Sequence, residues 1–152
     1  MSTKMSIGSR MADERERLRL APEDVAQALK VTLAEYSQIE AGTSPMEHWL
    51  PILGHVAVRT GKPTSRFISP GTGKASDAKE GSVGPTMRSV REALGMGAPQ
   101  VVEGLGVAAD HMALVESGRS GLERYSIALL AFANLTNVPI FNFIMNIPMK
   151  SE

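Results

Sequence analysis

Residues 25–42 read VAQALKVTLAEYSQIEAG, and residues 101–118 read VVEGLGVAADHMALVESG. Each stretch has the pattern of a short helix, a tight turn and a second short helix closed by glycine. In the first, Val25, Ala26 and Leu29 supply one apolar face, Lys30 and Val31 make the turn with Val31 directed inward, and Tyr36 and Ile39 face the same core. Thr32 and Glu35 have the spacing of a capping box, in which each side chain satisfies a free backbone N–H at the helix start. Gly42 ends the segment in the left-handed conformation that glycine tolerates best.

The two stretches belong to a longer repeat. With residue i set against residue i+76 and no gap, 17 of the 58 positions from Met11/Met87 to Ile68/Ile144 are identical. They include Arg15/Arg91, Glu40/Glu116, Gly42/Gly118, Ser44/Ser120, Glu47/Glu123 and Phe67/Phe143, which are core positions, caps and a glycine. The repeat predicts an all-α chain of two tandem five-helix domains, 5–69 and 86–148. Residues 70–85, rich in glycine, proline and small polar residues and without an aromatic, read as a flexible linker. A unit that small buries a modest core, so packing of the halves or dimerisation would add stability.

Working outward, a first helix is expected over 7–19, with Ile7, Met11 and Leu18 on one face. The second opens at Pro22, with Glu23 and Asp24 in the first turn where the helix dipole favours negative charge. Ser44 with Glu47, and Ser120 with Glu123, have the spacing of further capping boxes. The fourth helix carries Trp49, Leu50, Leu53, Val56 and Ala57; Pro51 is expected to bend it or delay its start. A short fifth covers 64–68. The second unit follows with 86–95, 98–105, 109–116, 122–136 and 140–146. Its end, PIFNFIMNIPM over 139–149, is more apolar than its counterpart, which core closure or a dimer contact would use.

Sixteen basic residues balance sixteen acidic ones, so the chain lacks the strong positive charge of many DNA-binding domains. It has no cysteine, hence no disulfide, thiolate nucleophile or thiolate metal site. No apolar run reaches the roughly 20 residues of a membrane span, and the first residues are charged with no apolar signal core. A soluble cytoplasmic protein without membrane contact is expected. An enzyme is not: His48, His55 and His111 are the only histidines, and no H-E-x-x-H pattern accompanies them. The nine methionines are scattered as core fillers would be. No metal or other cofactor is expected.

Over nearly the whole chain outside the linker, each unit resembles the Cro/repressor-type helix-turn-helix, or xenobiotic-response-element, family. Its members are mostly sequence-specific DNA-binding regulators, many of them dimers. The resemblance implies that the third helix of each unit enters the major groove of double-stranded DNA. It implies structural salt bridges Arg15–Glu40 and Arg91–Glu116. The family's base-reading positions fall on Leu33, Ala34 and Gln38 in the first unit and on Ala109, Asp110 and Leu114 in the second. Thr32 and Ser37 would assist, Thr43 and Ser44 would donate to the DNA backbone beyond the helix, and Arg119 is a cation at the corresponding place in the second unit.

The sequence departs from a strong DNA reader. Neither recognition helix contains Lys or Arg. Gln38 can pair bidentately with adenine and Leu33 or Ala34 can touch a thymine methyl, but Asp110, able to accept from cytosine, repels phosphate. The residue that commonly opens the second helix and holds a phosphate is Pro22 here and Ala98 in the repeat. Residues 32–47 hold three acids and no Lys or Arg, and phosphate neutralisation supplies most non-specific DNA affinity. Two functions therefore stand. One is a transcription regulator whose units form a covalent pseudo-dimer or half of a homodimer, with the first unit reading DNA. The other is a helix-turn-helix protein acting through protein contacts, as an antirepressor, an antitoxin-like partner or an RNA-polymerase-binding activator.

Overall fold

The computed structural model describes residues 6–144, and its regular structure is entirely helical. Five helices form the first half: α1 (Ile7–Arg17), α2 (Pro22–Leu29), α3 (Leu33–Ala41), α4 (Met46–Thr60) and α5 (Thr64–Ile68). After a 3-10 turn at Ala75–Asp77 come α6 (Val83–Ala93), α7 (Ala98–Val101), α8 (Ala109–Glu116), α9 (Leu122–Thr136) and a second 3-10 turn at Ile140–Phe143. None of the described helices is long and apolar enough to cross a membrane.

The 76-residue offset is carried by the backbone more faithfully than by the side chains. Four positions in the first half take left-handed backbone: Arg19, Lys30, Gly42 and Gly61. Their counterparts Gly95, Gly106, Gly118 and Asn137 do the same. The pairs Ile7/Val83, Met11/Met87, Val25/Val101, Tyr36/Met112, Ile39/Val115 and Phe67/Phe143 are buried on both sides. The repeat also reaches upstream of Met11, to Ser6/Ser82 and Gly8/Gly84. Both of these glycines sit where the first helix of a unit crosses its third. A Cβ on Gly8 would land on the carbonyl oxygen of Ile39, and one on Gly84 on that of Val115.

Several local expectations change. Thr32 and Glu35 do form a reciprocal capping box. Glu47 and Glu123 do not cap their own helices: each reaches back to the start of the unit's first helix. Glu47 accepts from the N–H groups of Ile7 at 3.0 Å and Gly8 at 2.8 Å. Glu123, 1 % exposed, accepts from Gly81 at 2.7 Å, Val83 at 2.9 Å and Gly84 at 2.8 Å. The free N–H groups of that helix start, together with the dipole behind them, are a better partner for a carboxylate than one local N–H. Leu18 follows the end of α1 and is 36 % exposed, because the chain turns away through left-handed Arg19. Pro51 lies inside α4 without delaying its start at Met46. α7 is one turn long where a helix to 105 was expected; Gly104, standing where the first half has Ala28, takes left-handed backbone. Glycine both favours that conformation and weakens a helix.

The halves pack reciprocally, as the subunits of a symmetric dimer do. α4 lies against α9 at the centre. α5 rests on α6, and the second 3-10 turn rests on α1; α2 meets α9, and α7 meets α4. The buried apolar side chains form one cluster running through both halves. The apolar C-terminal stretch is used here. Ile140, Phe143 and Ile144 are buried, and Ile144 fills the space that a side chain on Gly54 of α4 would need. This part of the stretch closes the core within the chain, so it is not free for a dimer contact. Residues 145–149 of that stretch lie outside the described residues. The segment 70–85, read as a flexible linker, holds the first 3-10 turn, and α6 begins inside it at Val83. The turn is fixed to α9: Asn134 accepts from the Ala75 N–H at 2.8 Å and donates to the Gly73 carbonyl at 3.3 Å.

Candidate nucleic-acid interface

The third helix of each half is held from behind. Arg15 donates to both carboxylate oxygens of Glu40, from Nε at 2.6 Å and Nη2 at 3.2 Å, and from Nη1 to the Leu20 carbonyl at 3.0 Å. Arg91 repeats this on Glu116 at 2.8 and 2.9 Å and on the Met96 carbonyl at 2.9 Å. These side chains are mostly shielded, and the fork geometry fixes orientation as well as distance. The hydrogen bonds to Glu40 and Glu116 raise the arginine pKa values further. Tyr36 and Ile39 anchor α3 in the core, as Met112 and Val115 anchor α8. Burial, with Glu40 close by, pushes the Tyr36 hydroxyl well above its ordinary pKa.

What remains outward is the expected reading face. Thr32, Leu33, Ala34, Ser37 and Gln38 are all exposed. On α8, which Ala109 opens, Asp110, Ala113 and Leu114 are exposed. Thr43 and Arg119 are exposed beyond the helices, and the Thr43 hydroxyl donates to the Gln38 carbonyl at 3.3 Å. Ser44 does not belong with them. It is 6 % exposed, and its hydroxyl accepts from the Met46 N–H at 3.1 Å, because it starts α4 from inside the fold. A phosphate cannot reach it.

Positive charge around this face is thin. Arg17 is tied to Glu14 at 2.7 Å, and the Arg10 Nε is buried. Lys30 is exposed in the α2–α3 turn, and Arg19 is exposed in the connection between α1 and α2. Glu35 is engaged twice, by the Thr32 N–H at 3.0 Å and by Arg124 of the other half at 3.3 Å. The Thr32 N–H, followed by Arg124, holds its carboxyl below the usual range.

One cluster escaped the sequence reading. His48 of α4 meets His111 of α8, Nε2 to Nε2 at 3.1 Å, and the Trp49 ring stacks on His111 at 5.0 Å. The offset partners of His48, Trp49 and His111 are Arg124, Tyr125 and Glu35. Arg124 pairs with Glu35 and lies over Tyr125, 5.2 Å from the ring centroid. The same contact is thus made twice with different chemistry, and each third helix begins against the other half. Among residues without identity across the repeat, only their shared offset signals it. His55 likewise binds across the halves, Nε2 to the Glu103 carbonyl at 3.1 Å, beside Arg59 at 2.7 Å. Burial lowers the pKa of both His48 and His55, with His111 adding to the effect on His48. Among the described residues no group of three or more His, Asp or Glu could hold a metal ion.

No protein-family model matches the chain, and no curated protein or solved structure matches it.

Proposed function

We propose that the chain is a DNA-binding transcription regulator of the helix-turn-helix type, a covalent pseudo-dimer that reads duplex DNA mainly through α3. One observation carries the reading. α3 is fixed from behind by the Arg15–Glu40 fork and the Gly8 crossing, while Thr32, Ser37 and Gln38 stand exposed on its outer face with no structural task beyond the Thr32 cap. A rigid helix with an unused polar face suits major-groove recognition. The reciprocal packing of the halves supports two reading helices within one chain, an arrangement that elsewhere takes two subunits. Gln38 is assigned the main base contact, and Asp110 makes α8 the weaker reader.

The test is selection from random duplexes at low salt, followed by anisotropy titrations on the selected site. Affinity is expected to be modest with a shallow salt slope, since few phosphates can be neutralised. Gln38→Ala should weaken the selected site by about 1–3 kcal/mol and random DNA little. No enriched sequence, or unchanged binding by Gln38→Ala, refutes the assignment. The second reading, recognition of a protein such as RNA polymerase or another regulator, is favoured by a specific feature. Leu33 and Leu114 are 44 % and 42 % exposed on the outer faces of α3 and α8, and no Lys or Arg lies on either helix. Co-purification of a partner lost on Leu33→Ser would select it.

A further inference from the structure

We infer that the groove between the two halves is a binding site for a single-chain aliphatic carboxylate. The groove, about 1310 Å³, is bounded by the end of α2 and the C-terminal part of α4 on one side and by α9 on the other. The 3-10 turn at Ala75–Asp77, pinned by Asn134, adds a further wall. It is at least as large as the few hundred to roughly 1,000 Å³ of ordinary small-molecule sites. Its lining is built from short aliphatic side chains, among them Ala28, Ala57, Ala131 and Ile127. Val58 and Leu135, also on the lining, are 67 % and 43 % exposed, so apolar surface there is left to water.

The polar rim has one sign. Lys30, Lys62 and Lys74 all contribute to the lining, and no Asp or Glu does. They are half of the six lysines in a chain whose total charge is zero. None of the three forms a salt bridge among the described residues, whereas Arg15, Arg17, Arg59, Arg88, Arg91 and Arg124 do. Apolar walls with an unneutralised cationic rim match a hydrocarbon chain ending in an anion: the tail leaves water, and the carboxylate stays at the mouth among ammonium groups whose stems follow the apolar wall. A nucleic-acid backbone of sugar and phosphate has no apolar part to cover the floor. Phe141 is the one aromatic side chain on the lining, so saturated chains fit better than stacked rings. The inference stands whether or not the chain binds DNA.

The experiment is calorimetric titration of the full chain with octanoate, decanoate and dodecanoate below their micelle concentrations. One site per chain is expected, with affinity rising about fourfold per added methylene. Dodecanol and dodecyltrimethylammonium should bind at least roughly tenfold more weakly than dodecanoate, because the rim is cationic. Replacing Lys30, Lys62 and Lys74 together by alanine should remove the preference for carboxylate over alcohol. Val58→Glu, at an exposed position that folding tolerates, should lower dodecanoate affinity at least tenfold, and Val58→Met should keep it. The inference is overturned by the absence of saturable binding, or by equal affinity for dodecanoate and dodecanol. Association with phosphatidylglycerol vesicles but not with monomeric dodecanoate also overturns it. So does light scattering that shows a dimer dissolved by Val58→Glu, which would make the groove a contact between copies of the chain.

Discussion

Glutamine at position 123 changes a single atom type, and the structure says what that costs. Glu123 is 1 % exposed and accepts three backbone N–H groups at the start of α6, at 2.7, 2.9 and 2.8 Å. All three donors point at one carboxylate, so either orientation of the amide sets its NH2 against at least one N–H. At least one charge-assisted bond is lost, at about 1.5–3 kcal/mol, and a buried donor is left unpaired, at about 1–3 kcal/mol. Glu123→Gln should therefore cost about 3 kcal/mol, a fall of roughly 6–12 °C in melting temperature for a chain of this size. The offset partner supplies the control. Glu47 holds two N–H groups, at 3.0 and 2.8 Å, from a half-buried position where water can replace a lost partner. Glu47→Gln should cost about 1 kcal/mol. Urea unfolding of both variants measures the difference. Equal costs, or a loss below about 1 kcal/mol for Glu123→Gln, would show that the carboxylate at α6 is not what fixes that helix start.

Three further outcomes are expected. Glu40→Ala strands the shielded Arg15 guanidinium and should cost about 3 kcal/mol in chemical denaturation, and Glu116→Ala at least as much, since that pair is the more buried; an unchanged midpoint would refute the clamp. Gly84→Ala puts a Cβ on the Val115 carbonyl and must push α6 off α8, costing about 3 kcal/mol or more, whereas Gly95→Ala, with open space around it, pays only for its left-handed backbone, about 1 kcal/mol; equal losses would exclude a close crossing. The pKa of His48 is lowered by burial and then by His111, so the unfolded chain takes up its proton first as pH falls. The stability it contributes is complete above the ordinary value near 6.5 and declines below it; unfolding curves from pH 7.5 to 5 should show that decline flattened in His48→Gln, and parallel curves would refute the coupling.

Local pattern carried much of the fold. The Thr32–Glu35 cap, the glycine stop at Gly42, the start of α2 and the span of α9 all follow from residues within one or two turns of each other. The Arg15–Glu40 and Arg91–Glu116 pairs came from a resemblance to known helix-turn-helix proteins, and the structure supplies their geometry. The candidate site was legible in part. Gln38, Ser37 and Thr32 are exposed where expected, but Ser44 faces inward. The spacing to Glu47 had already marked Ser44 as a helix start, and that role, rather than the contact with the DNA backbone implied by the resemblance, is the one its hydroxyl takes up.

By itself the sequence determined an all-helical chain with a gapless 76-residue repeat, because helix periodicity, caps and a glycine stop are short-range properties that such an offset can copy. Only the tertiary structure decided how the units use each other. It turned Glu47 and Glu123 from local caps into anchors across roughly forty residues, since a carboxylate seeks the largest group of free N–H donors within reach, wherever it lies along the chain. It packed Phe143 on Phe132 of its own half and set Ile144 against Gly54 of the other, since apolar surface is buried against whatever surface is complementary. It also set His48 against His111 and Arg124 against Glu35, a correspondence of position without identity that appears once the halves are packed together.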